Sequence, residues 1–76
     1  MSDNKEKQAM DIIKAAHRYQ GLFVDSEKKD SGAIWLHLKF ENHTGQAMFN
    51  GFIHENNMCK CMMLGEKGSM ISKIMI

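Results

Sequence analysis

The alternation of side chains over residues 33–41 constrains the fold of this chain more than any other feature. Large apolar residues fall on one side of an extended backbone and a mixed set falls on the other: Ile34, Leu36, Leu38 and Phe40 against Trp35, His37 and Lys39. A period of two residues is that of a β-strand with one side buried. We therefore expect this strand to belong to a sheet whose apolar side is covered by another layer.

The covering layer is predicted to be a helix over residues 4–20. Asp3 is suited to the N-cap position, and Glu6 three residues later completes a capping box. Apolar residues then recur at helical spacing and form one stripe: Ala9, Ile12, Ile13, Ala16 and Tyr19. Gly21 is expected to end the helix, because glycine readily adopts the left-handed conformation of a C-cap.

The rest of the chain is interpreted as strands separated by turns. Further strands are predicted over 22–27, 46–54 and 58–64, and 69–76 favours a strand over a short helix. Residues 42–45 resemble a turn closed by a glycine, and the pair Asn56-Asn57 suits a tight hairpin. The expected fold class is α+β, with one N-terminal helix packed on an antiparallel meander of four or five strands, in a single domain over 1–76.

Composition excludes several classes of function. The 76 residues carry a net charge of +1, which argues against a dedicated binder of polyanions. The first residues lack the apolar run of a signal peptide, and no stretch approaches the roughly 20 apolar residues that span a bilayer. We expect a cytoplasmic protein with reduced cysteines and no membrane partner. No catalytic motif or phosphate-binding loop is recognisable, so we expect no enzymatic activity and no cofactor.

The predicted hairpins sort the strand residues onto two faces, because loop length sets the register. One helix covers one face only. The other face is expected to carry an apolar patch with basic residues, and we predict that it binds a partner: Trp35, Phe49, Ile53, Met58, Met62, Leu64, Lys39 and Lys60. Such a patch would exceed what a monomer usually exposes.

These patterns favour a small non-enzymatic protein-binding module, acting as an inhibitor, an adaptor or a homo-oligomeric accessory protein. Its expected partner is a second copy in a homodimer, or another protein. The alternative is a platform for single-stranded nucleic acid, in which bases stack on Trp35 and Phe49 beside Lys39 and Lys60. We do not favour the nucleic-acid alternative, because the aliphatic members of the patch suit a protein better.

A second alternative is a soft-metal site in the hairpin that contains the Cys-Lys-Cys motif. The predicted register places His54, Cys59 and Cys61 on one face, and thiolates suit zinc or copper(I). A closed zinc site needs a fourth ligand, and none is evident. Buried cysteines that pack as small apolar residues are the preferred interpretation, so no metal is expected.

Overall fold

The computed structural model of the chain describes residues 2–65 and 68–76. Its elements follow in the order α1 (Ser2–Arg18), β1 (Gly21–Lys28), β2 (Ile34–Phe40), α2 (His43–Glu55), β3 (Cys61–Leu64) and β4 (Ile71–Met75). The strands form one antiparallel sheet in the order β1-β2-β4-β3. The predicted α+β class, with an N-terminal helix and an antiparallel sheet of four strands, is confirmed. The strand order is not a meander, because β4 lies between β2 and β3.

Helix α1 forms where the apolar stripe predicts it. Ile12 and Ala16 are fully buried, and Ala9, Ile13 and Tyr19 pack around them. The helix ends earlier than expected, at Arg18, and the left-handed residue after it is Gln20, with φ of 65°. Gly21 already belongs to β1. The predicted role of Gly21 as the end of the helix is therefore wrong by one residue.

The predicted strand over 46–54 is wrong, because these residues lie in helix α2. The Asn42 side chain accepts a hydrogen bond from the backbone N–H of Gly45 at 2.7 Å, so Asn42 is the N-cap of α2. Phe49 and Ile53, one helical turn apart, are both fully buried. Two glycines within α2, Gly45 and Gly51, disfavour a helical conformation. Burial of the apolar stripe of α2 compensates for this loss.

The predicted hairpin at Asn56-Asn57 is also replaced by a helix end. Asn57 has a positive φ of 50°, its N–H bonds to the carbonyl of His54, and the N–H of Met58 bonds to the carbonyl of Ile53. These two hydrogen bonds make a Schellman motif, which satisfies the last carbonyls of α2. The left-handed conformation that suits a tight hairpin suits this motif equally well.

The two C-terminal strands differ in how far the prediction holds. The predicted strand over 58–64 is shortened to Cys61–Leu64. The preference for a strand over 69–76 is confirmed by β4, and this strand becomes central in the sheet, paired with β2 on one side and β3 on the other. Ile34 and Ile76 extend the pairing with β2 by exchanging two backbone hydrogen bonds of 3.0 and 2.9 Å.

Both helices pack on the same face of the sheet and enclose one core. The buried apolar side chains come from α1, β2, α2 and the C-terminal residues: Ile12, Ala15, Ala16, Leu36, Leu38, Phe40, Phe49, Ile53, Ile74 and Ile76. The predicted apolar side of β2 is thus confirmed as the core side. In the part of the chain that the structure describes, no helix packs on the opposite face of the sheet.

Candidate protein-binding surface

The face of the sheet that points away from both helices is called here the open face. Cross-strand partners share a face, so its members follow from the register of the strands. They are Leu22, Asp25 and Glu27 of β1, Trp35, His37 and Lys39 of β2, Ile71, Lys73 and Met75 of β4, and Cys61 and Met63 of β3. Within residues 2–65 and 68–76, no helix or strand packs across this face. The expectation of a sheet covered on one side is met.

The structure places only part of the predicted patch on the open face. Trp35 and Lys39 lie there, with His37 between them. Phe49 and Ile53 lie in the core within α2, where both are fully buried and unable to reach a partner.

The remaining predicted members lie near β3. Met62 and Leu64 pair with Ile74 and Ser72, which places both on the helix side of the sheet. Met58 and Lys60 lie in the connection between α2 and β3, outside both elements. The predicted face of β3 is therefore inverted, because β3 pairs with β4 instead of following a hairpin from 46–54.

Four apolar residues of the open face were not predicted: Leu22, Met63, Ile71 and Met75. Because β4 pairs directly with β2, Met75 lies opposite Trp35 and Ile71 lies opposite Lys39. Alternation along 69–76 is visible in the sequence, and it would have identified these two residues had β4 been placed next to β2. Leu22 and Met63 are the most exposed of the four, at 63% and 52%.

Trp35 lies on β2 in a row of open-face residues near one end of the sheet. Its cross-strand neighbours are Glu27 on β1 and Met75 on β4, and all three lie in one row across the sheet. Trp35 and Met75 are half-buried, whereas Cys61, which continues the row on β3, is exposed. A large flat side chain flanked by a thioether and a carboxylate offers both apolar area and hydrogen-bonding groups to a partner.

Charges of both signs are distributed across the open face by strand. Asp25 and Glu27 place negative charge on β1, and Lys39 and Lys73 place positive charge on β2 and β4. The Asp25 carboxylate lies 2.6 Å from Nδ1 of His37, which ties β1 to β2. Lys29 donates a hydrogen bond of 2.6 Å to Glu27 and lowers the pKa of that carboxyl group, so Glu27 is ionised at neutral pH.

The pair of His37 and Asp25 has the geometry of a base held by a carboxylate. It lies on an open surface, and its cross-strand neighbour on β4 is Lys73. Catalysis by such a pair would need a nucleophile or substrate positioned in a pocket beside it. In the structure, this contact links β1 to β2.

The alternative metal site is not formed. His54, Cys59 and Cys61 line one cavity of about 330 Å³ at the end of α2. Among the residues that the structure describes, no group of three or more His, Cys, Asp or Glu side chains is placed to hold a metal ion. Burial raises the pKa of the Cys59 thiol and so disfavours the thiolate that a metal requires. Cys59 packs beside the core as expected, but Cys61 is exposed, so the interpretation of both as core cysteines is wrong for Cys61.

Comparisons of the chain with protein-family models, with curated proteins and with solved structures gave no significant match. Of the helices in the described part of the chain, neither combines the length and the apolar character needed to cross a membrane.

Proposed function

We propose that this chain is a small non-enzymatic protein-binding module that acts through the open face of its sheet. The observation that carries the proposal is the row through Trp35, which no helix or strand of the described residues covers. A solvated sheet face is usually polar. This face instead holds Trp35 and Met75 side by side on the two central strands, and Ile71 farther along β4.

The charge pattern supports a protein partner over a nucleic acid. Glu27 lies directly opposite Trp35, so a nucleic-acid strand whose base stacks on the indole would bring its phosphates close to an ionised carboxylate. Binding of single strands depends on neutralising phosphates with lysine and arginine. The open face is acidic on β1 and basic on β2 and β4. It therefore matches a partner surface that also carries charges of both signs.

The preferred partner at the open face is a second copy of the chain, in a closed two-fold dimer. The alternative partner is a foreign protein bound to the same face. Small domains gain much from such burial, because their own cores are marginal. Each large apolar side chain that is buried contributes on the order of 1.5–3 kcal/mol before the entropy of association is subtracted.

Two exposed methionines allow a matched test of the proposal. Met63 is 52% exposed on the open face, and Met48 is 55% exposed on α2, on the helix side. We expect wild type and Met48→Glu to sediment as dimers and Met63→Glu to sediment as a monomer. The physical reason is that a carboxylate on the open face loses hydration when a partner covers it. Sedimentation velocity over a range of concentrations measures this difference.

The same variants test the foreign partner. If wild type is a monomer at high micromolar concentration, the dimer is wrong. The three proteins then serve as baits in the host, and a partner retained by Met48→Glu and lost by Met63→Glu supports the open face. A partner lost by Met48→Glu and retained by Met63→Glu contradicts the proposal.

A further inference from the structure

The outer edge of β1 is the second surface of interest, separate from the open face. Strand β1 is at one end of the sheet, and every residue from Leu22 to Lys28 is exposed. Ile34 bonds to Ile76 through both backbone groups, so even-numbered residues of β2 face β4. Backbone groups of an antiparallel strand alternate in direction. The odd-numbered residues of β2 therefore face β1.

The register then identifies the free backbone groups of β1. Glu27 and Asp25, opposite Trp35 and His37, direct their N–H and C=O groups towards β2. Phe23, Ser26 and Lys28 are opposite the even-numbered residues and direct theirs away from the sheet. A bulge between Phe23 and Asp25 interrupts the strand, so its regular part is Asp25–Lys28.

The side chains of the same three residues line a groove. Phe23, Ser26 and Lys28 are opposite Leu38, Leu36 and Ile34, which places them on the helix side of the sheet. A groove of about 650 Å³ runs there between β1 and α1. Its apolar walls are Ala9, Ile13, Phe23, Ile34 and Leu36. Free backbone groups and an apolar groove thus lie along one edge.

An extended segment added at this edge would meet different chemistry on its two sides. Its residues opposite Ser26 and Lys28 would point towards the groove and should be apolar. Its residues opposite Asp25 and Glu27 would point to the side where these carboxylates stay 64% and 53% exposed, and should be basic. Strand β2 shows the same chemistry along the other edge of β1, with apolar residues on the helix side and His37 beside Asp25.

A second copy of β1 does not fit this edge. When two copies of a strand pair antiparallel about a two-fold axis at one residue, odd-numbered residues lie opposite odd-numbered residues and even-numbered residues lie opposite even-numbered ones. In each register centred on Asp25, Ser26 or Glu27, acidic side chains therefore face acidic side chains. Like charges directly opposite each other destabilise a strand pair.

We propose that β1 binds an extended segment of another protein, in which apolar residues alternate with lysine or arginine, as an antiparallel fifth strand of the sheet. Backbone hydrogen bonds to Ser26 and Lys28 hold the segment, and the groove beside α1 takes its apolar side chains. The segment pairs with the edge of β1 and places its apolar side chains on the helix side, and it meets the open face only at Asp25 and Glu27.

The test uses synthetic hexapeptides and isotope-labelled protein. A peptide that alternates valine and lysine is expected to slow hydrogen exchange at the amides of Ser26 and Lys28. N-methylation of its valines removes the N–H groups that face β1, and should weaken binding roughly two- to tenfold for each hydrogen bond lost. N-methylation of its lysines removes groups on the far edge and should leave binding unchanged.

Variants of the protein separate this site from the open face. Glu27→Lys is expected to weaken the valine–lysine peptide and to strengthen a valine–glutamate peptide. Met63→Glu should leave both unchanged, whatever it does to the dimer. The proposal is overturned if the amides of Ser26 and Lys28 show no protection, or if both N-methylated peptides bind equally. It is also overturned if wild type prefers the glutamate peptide, which would mean that Lys5, Lys28 and Lys29 along the groove dominate.

Discussion

Gly21 illustrates how a single missing side chain shapes this fold. A Cβ atom at this position would overlap Cε2 of Phe40, well inside the contact distance of two carbons. The ring of Phe40 cannot withdraw easily, because it is buried and packs against Phe49 with ring centroids 4.9 Å apart. The glycine therefore lets the start of β1 approach the core, and this close contact is the constraint on position 21.

The two glycines at positions 21 and 51 are expected to respond to alanine in opposite directions. Gly21→Ala should lower the free energy of unfolding by about 1–3 kcal/mol, because it overpacks the core against Phe40. Gly51 lies in α2 with open space around its Cα. Gly51→Ala should raise the free energy of unfolding by about 0.5–1 kcal/mol, since alanine favours the helix. Urea denaturation measures both, and a stabilised Gly21→Ala would contradict the contact with Phe40.

At the scale of elements, asparagine accounts for the principal error in the predicted secondary structure. Asn42 begins α2, and Asn57 ends it in a left-handed conformation. Both residues also suit turns, because the asparagine side chain bonds to nearby backbone N–H groups and tolerates positive φ. The two asparagines mark the boundaries of an element correctly, and the element between them is a helix instead of a strand.

Removal of the N-cap should destabilise α2 selectively. Asn42→Ala loses the acceptor for the N–H of Gly45 and should lower the free energy of unfolding by about 1 kcal/mol. Asn42→Asp keeps an oxygen at that position and should stay close to wild type. Chemical denaturation compares the three proteins. Equal losses for alanine and aspartate would indicate that the hydrogen bond from Asn42 to Gln20, and not the cap, is what matters.

At the scale of the whole molecule, one buried polar contact fixes how α2 lies on the sheet. Ser72 in the central strand β4 is fully buried, donates to Oδ1 of Asn50 at 3.0 Å and accepts from Nε2 of Gln46 at 3.2 Å. Both partners lie in α2. A buried polar group needs such partners, so the contact favours one placement of the helix over others of similar apolar packing.

Ser72→Ala should be among the more damaging small substitutions in this protein. It leaves the Gln46 amide buried without its partner, and we expect a loss of about 1–3 kcal/mol in the free energy of unfolding. Ser26→Ala, on the exposed strand β1, is the control and should change stability little. Thermal unfolding of both variants distinguishes them. A Ser72→Ala protein as stable as Ser26→Ala would show that the contact has no energetic role.

The sequence alone determined the elements whose patterns are strong and local. The stripe of α1 and the alternation of β2 each fit one period only, so both elements and both buried sides follow directly. Trp35 and Lys39 were placed on the uncovered face for the same reason. The number of helices did not follow from the sequence, and the packing of both α1 and α2 on one side of the sheet was decided only in the tertiary structure.

Only the tertiary structure decided that residues 46–54 form a helix, and only it decided which residues lie on the open face. Phe49 and Ile53 are four residues apart, a separation that fits both the even period of a strand and one turn of a helix. Packing against Phe40 and the bond of Gln46 to Ser72 favour the helix. The insertion of β4 between β2 and β3 then sets which side of β3 is open. Such long-range pairing leaves no local period in the chain, and therefore only the folded molecule shows that Met63, Ile71 and Met75 share a face with Trp35.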